Sequence, residues 1–126
     1  MATILAVDDD PDVVDAIRLF LEKEGHTVAS AYNRDEGMKS VDRVKPDLLI
    51  LDVMMEQPDD GMAMAQELRR KGFAKPILLL TSVSRVTGMK YDKDDAVLPV
   101  EAFVEKPIEP KALVKLVDEL LQQKEG

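Results

Sequence analysis

Apolar residues fall in short blocks that alternate with amphipathic stretches along the whole chain. Ile4-Leu5-Ala6-Val7, Leu48-Leu49-Ile50-Leu51 and Ile77-Leu78-Leu79-Leu80 are unbroken apolar runs. Such runs suit strands buried on both faces of a parallel sheet. Two shorter segments, Thr27–Ala31 and Phe103-Val104-Glu105, complete a set of five predicted strands, with Thr3–Val7 first and Asp47–Leu51 third. Between them the period changes. Val13, Val14, Ile17, Phe20 and Leu21 recur at helical spacing after Asp10-Pro11, a cap residue followed by a proline suited to the first turn. Gly25 stops that helix.

Asn33 caps a second helix reaching about Val44, with Met38 and Val41 on its apolar side and Lys45-Pro46 as its break. A third carries Met62, Ala65 and Leu68 to about Lys71, ahead of Gly72. The last, about Glu109 to Gln122, places Leu113, Leu116, Val117, Leu120 and Leu121 on one face. Strands alternating with helices imply right-handed crossovers, hence an α/β, doubly wound parallel sheet with helices on both faces. Its smaller, flavodoxin-like form has strand order 2-1-3-4-5.

Size and composition narrow the reading without changing it. The 126 residues make one expected domain, 1–126, able to bury about 65% of its unfolded surface. A chain with 45% hydrophobic and 33% charged residues is not expected to be disordered. With 25 acidic against 17 basic residues, its net charge of −8 disfavours direct nucleic-acid binding. The absence of cysteine excludes disulfides, thiolate metal sites and a cysteine nucleophile. No stretch approaches the roughly 20 apolar residues of a membrane span, so a cytoplasmic location without membrane attachment is expected.

The candidate chemistry lies where strands end. In such a sheet the carboxyl ends of the strands line one edge, where ligands bind. Strand one delivers Asp8 and Asp9 there, strand three Asp52, strand four Thr81 and strand five Lys106. Like-charged carboxylates brought together need a cation or a proton between them, and hard oxygen ligands prefer Mg²⁺ or a similar ion. A carboxylate can also serve as a nucleophile toward phosphorus. A metal, a lysine and a hydroxyl would then neutralise and orient a phosphoryl group. Asp10 reads as the helix cap rather than a ligand. His26, the single histidine, falls in a turn and is expected at the surface.

From about Thr3 to Leu121 the chain resembles the receiver domain of two-component response regulators, of the stand-alone type. The matching residues are Asp8-Asp9, Asp52, Thr81 and Lys106-Pro107, each after its strand. The resemblance implies that Asp52 is the phosphoacceptor, taking a phosphoryl group from a sensor histidine kinase. It implies Mg²⁺ as cofactor, bound by Asp9, by Asp8 mainly through water, by Asp52 and by the backbone carbonyl of Met54. Lys106 would pair with the phosphoryl oxygens, Thr81 and Phe103 would form the switch, and a cis peptide would precede Pro107. The signal would leave through the face running from the fourth helix over strand five to the last helix. A downstream protein or a histidine phosphotransferase would receive it.

Two departures from the family stand out. Met54-Met55 is followed by Glu56-Gln57-Pro58, lengthening the loop to Gly61. After Thr81, residues 82–100 carry Gly88 and a run of Asp and Lys residues, which predict a short or irregular fourth helix. Met54 and Val83 stand at the positions that tune phosphate lifetime, and neither can orient an attacking water. Slow self-hydrolysis is therefore expected.

The alternatives are a Mg²⁺-dependent phosphatase or phosphotransferase on a similar sheet, a scaffold that has lost phosphorylation, and a receiver fragment of a hybrid kinase. Met54 offers no general acid two residues after Asp52, and no glycine-rich phosphate loop is present, so the chain is not expected to be an enzyme. Met1 just ahead of strand one, and a chain end soon after the last helix, favour a module standing alone.

Overall fold

The computed structural model describes residues 2–53, 55, 60–82 and 100–125. Among these, five strands and four helices follow in order: β1 (Thr3–Val7), α1 (Pro11–Glu22), β2 (Thr27–Ala31), α2 (Arg34–Val44), β3 (Leu48–Asp52), α3 (Asp60–Arg70), β4 (Ile77–Ser82), β5 (Ala102–Lys106) and α4 (Pro110–Glu125). The strands form one sheet in the order β2-β1-β3-β4-β5, and every neighbouring pair is parallel. The doubly wound, flavodoxin-like arrangement expected from the apolar blocks is the one observed. Boundaries differ slightly. β3 starts at Leu48 and includes Asp52, because Asp52 lies in register with Leu80 of β4.

The apolar runs are sorted by the pleat, since successive side chains of a strand point to opposite faces. Leu5, Val7, Leu49, Leu51, Ile77 and Leu79 pack on one side with Val41 of α2 and with Met64, Ala65 and Leu68 of α3. Ile4, Ala6, Leu48, Ile50, Leu78 and Leu80 pack on the other with Ile17 and Leu21 of α1 and with Leu113, Val117 and Leu120 of α4. Both faces are covered, which explains why β1, β3 and β4 carry no polar alternation. All five residues of β3 are buried.

Helix starts follow local chemistry. Asp10 has extended backbone and its carboxylate accepts the Asp12 N–H at 2.9 Å, with Pro11 opening α1. Asn33 accepts the Glu36 N–H at 2.8 Å, while Glu36 accepts the Tyr32 N–H at 2.6 Å. The first bond satisfies a donor that the helix start leaves free, and the second ties Tyr32, ahead of the cap, to the first turn. At the C-terminus of α2, Lys45 takes the left-handed conformation, φ 53°, a position that usually falls to glycine.

His26 is not a surface residue. Its imidazole is 8% exposed; Nδ1 accepts the Ala2 N–H at 3.2 Å, and Nε2 lies 3.5 Å from Asp118 of α4. The turn brings the ring under the last helix, a tertiary contact that its polar sequence neighbours do not signal.

Candidate functional site

Three strand ends meet at one edge of the sheet. Asp8 follows β1 directly and is held by its own backbone, whose N–H donates to Ala31 O at 3.1 Å. It is fully buried, and Asp52 is 6% exposed. One oxygen of Asp8, Oδ1, accepts the Asp10 N–H at 2.9 Å. The other faces the Lys106 ammonium at 3.1 Å but makes no hydrogen bond of good geometry. Lys106 also lies 3.4 Å from Asp52 Oδ1. A single cation thus bridges carboxylates from two strands, delivered by β5 at the sheet edge.

Burial raises the Asp8 carboxyl above the ordinary carboxylate range, against the opposing pull of the Asp10 N–H and of Lys106. Burial would lower the Lys106 ammonium, but the facing charges of Asp8 and Asp52 outweigh it and hold the group above its ordinary value. The lysine is therefore protonated at neutral pH, and the buried carboxylate is under-compensated by it.

Carboxylate oxygens of Asp8, Asp9 and Asp52 lie within 4.8 Å of one another, with Asp9 exposed to solvent. The donor set is all oxygen, and one buried oxygen lacks a hydrogen bond. These features fit a small hard cation such as Mg²⁺. Asp10 is turned to capping α1 and is not in the set.

Thr81 is 5% exposed near the end of β4 and pairs in register with Glu105, while Leu79 pairs with Phe103. Thr81 and Phe103 therefore share one face of the sheet, and Phe103 packs half-buried against the core on that face. The Lys106–Pro107 peptide is cis. Met54 and Val83, the loop residues 56–59 and the segment 83–99 lie outside the described residues, as does the predicted irregular fourth helix.

One residue escaped the sequence reading as a part of this site. Gly61, in the first turn of α3, donates its N–H to Val53 O at 2.9 Å. A Cβ placed on it would stand 2.8 Å from both the Asp52 carbonyl carbon and the Val53 Cα, and closer still to the Asp52 carbonyl oxygen. Helix α3 thus rests directly on the peptide of Asp52. A glycine at the start of a helical pattern was the available signal.

A parallel α/β sheet with three acids, a hydroxyl and a lysine gathered at its carboxyl edge defines a class of phosphate-handling fold. The family description "Response regulator receiver domain" matches residues 4–118, and the chain belongs to that family. It is 32% identical over 126 residues to the alkaline phosphatase synthesis transcriptional regulatory protein PhoP of Bacillus subtilis, covering 97% of this chain and 49% of that protein. It is 32% identical over 124 residues to the regulatory protein VanR of Enterococcus faecium, covering 95% of this chain and 50% of that protein. The chain thus spans about half the length of these relatives, or less in others.

Among solved structures it is similar to the response regulator TrrA of Thermotoga maritima in complex with Mg²⁺-BeF, with 30% identity, a TM-score of 0.80, and 95% and 99% of the two chains covered. A receiver domain protein from Clostridium thermocellum shares the fold at 21% identity and a TM-score of 0.83, covering 99% and 98% of the two chains. Receiver domains bind Mg²⁺ at an acidic pocket, are phosphorylated by histidine kinases, and are signalling modules rather than enzymes in general. Among the described residues no helix is long and apolar enough to cross a membrane.

Proposed function

We propose that this chain is a single phosphoacceptor module, with Asp52 as the residue that takes a phosphoryl group from the phosphohistidine of a sensor kinase. The observation that carries the reading is the pairing of one lysine with two buried carboxylates from separate strands, at 3.1 and 3.4 Å. A structural ion pair has no need of a third acid, yet Asp9 brings its oxygens within reach of the same point.

In the reaction, a carboxylate oxygen of Asp52 forms a bond to phosphorus as the P–N bond of the donor breaks, and the imidazole leaves with the electron pair. The chemistry Mg²⁺ supplies, when held by Asp8, Asp9, Asp52 and the Met54 carbonyl, is neutralisation of the facing oxygens. Lys106 then exchanges part of its contact with the carboxylates for the incoming phosphoryl oxygens. Thr81, buried at the end of β4, offers its hydroxyl to one of them. Phe103 follows on the same face and alters the surface that a downstream protein or a histidine phosphotransferase reads. The product persists, because neither Met54 nor Val83 can position a hydrolytic water. The chain does not turn over free phosphate esters.

Incubation with acetyl phosphate and Mg²⁺ tests the assignment. Intact mass is expected to rise by one phosphoryl group, and Asp52→Asn to abolish the rise. Uptake by Asp52→Asn would place the acceptor elsewhere, and a phosphoprotein lifetime of seconds would contradict the role given to Met54 and Val83.

A further inference from the structure

We propose that the groove between the C-terminal ends of α2 and α3 is a docking site for an acidic partner segment that carries an apolar anchor. The groove encloses about 430 Å³ and lies at the end of the sheet opposite Asp52. Met38, Val41, Leu68 and Phe73 supply its apolar surface, and Lys45, Lys71 and Lys75 stand around it against the single acid Asp42. The chain as a whole carries a net charge of −8, so this lining reverses the sign of its surroundings. Arg43 and Arg70, in the last turns of α2 and α3, extend the positive field.

Cations near helix C-termini ordinarily balance the backbone dipole, but two details exceed that role. Lys75 lies beyond α3, in the turn into β4, and like Lys45 makes no ion pair among the described residues. Lys45 occupies a left-handed position, φ 53°, where glycine would be at ease and a side chain is not. The fold thus keeps a lysine at a conformationally unfavourable point on the rim of an apolar groove. Its α2 neighbour Met38 is a flexible side chain able to adapt to different occupants.

Charge and shape select the occupant. The space is that of one or two side chains, concave and apolar at its base, which a sugar-phosphate backbone cannot fill. An extended polyanion would also meet the acidic remainder of the chain beyond a screening length of about 8 Å. A short acidic segment with a leucine or phenylalanine anchor meets Lys45, Lys71 and Lys75, with Asp42 the one acid in the lining and Glu67 paired to Lys71 at 3.6 Å. Helix-in-groove recognition of this kind rests on anchors spaced i, i+4 with charges at the rim.

The test uses a fluorescently labelled synthetic peptide with leucine and phenylalanine at i, i+4 spacing and glutamate elsewhere. Comparison probes are the same peptide with both anchors changed to serine, a DNA duplex, and vesicles of phosphatidylcholine with phosphatidylserine. Saturable, salt-sensitive binding of the anchored peptide is expected, weakened about tenfold or more by Lys45→Gly combined with Lys75→Glu. Lys71→Glu alone, at an exposed position, should weaken it in the same direction. Phosphoryl uptake at Asp52 involves none of these lysines and should be unchanged, and Lys45→Gly should melt no lower than the parent. Equal binding by the double variant, equal binding of the serine peptide, tighter binding of duplex or vesicles, or no saturable binding would each overturn the proposal.

Discussion

Replacing Gly61 by alanine pushes on Asp52 from behind, without touching any group that meets a phosphoryl donor. The new Cβ would stand 2.8 Å from the Asp52 carbonyl carbon and from Val53 Cα. Ordinary carbon contacts are about 3.5–4.0 Å, so α3 or the Asp52 peptide must move by roughly 1 Å. Both neighbours are backbone, and neither can rotate away. Such overpacking costs about 1–3 kcal/mol of stability. For the reaction, a displacement of about 1 Å at a reacting group costs on the order of 100-fold in rate.

The assay is the initial rate of phosphoryl uptake from acetyl phosphate at saturating Mg²⁺, followed by intact mass, alongside a thermal melt. Gly37→Ala is the control. Its Cβ would meet the flexible end of Met64 at 2.9 Å and Val7 methyls at 3.1 and 3.2 Å. The gain in helix propensity of about 1 kcal/mol offsets part of that crowding. Gly37→Ala should therefore leave the uptake rate unchanged. If Gly61→Ala takes up phosphate at the parent rate, the close approach of α3 does not position Asp52 and the reasoning fails.

Two further outcomes follow from the geometry. In metal-free protein, the raised Asp8 carboxyl means that the folded state holds a proton the unfolded chain has already lost. Stability should then fall as pH rises from the ordinary carboxylate range through the raised value. Asp8→Asn should remove that slope, melt higher than the parent at neutral pH, and lose the Mg²⁺-dependent rise in Tm; thermal melts with chelator and with Mg²⁺ would decide. Asp10→Ala removes the cap of α1 and should cost about 1 kcal/mol in chemical denaturation. It should leave Mg²⁺ binding unchanged by titration calorimetry, and a large loss of affinity would make Asp10 a ligand instead.

What could be read from the chain was whatever depends on neighbours in sequence. The apolar runs at Ile4–Val7, Leu48–Leu51 and Ile77–Leu80 mark strands because burial on both faces removes all polar alternation. Once the sheet is granted, Asp8, Asp52, Thr81 and Lys106 must converge, since parallel strands present their ends at one edge. Contacts between elements without such a rule were not legible. His26 sits among polar residues, and only the fold brings Asp118 and Ala2 to its two ring nitrogens. Gly61 reads as part of a loop until α3 is seen lying on the Asp52 peptide. Lys45, Lys71 and Lys75 are scattered along the sequence and form a rim only where α2 and α3 end side by side.

Acids at one edge of the sheet and lysines at the other give the domain an electric polarity along its strands. An approaching charged body feels that polarity before any contact forms, and turns the molecule accordingly. A divalent ion seated among Asp8, Asp9 and Asp52 would erase much of the negative pole while leaving the positive one in place. Cation loading would therefore weaken the bias that turns the lysine end toward an anionic surface, and would also change the chemistry open to Asp52.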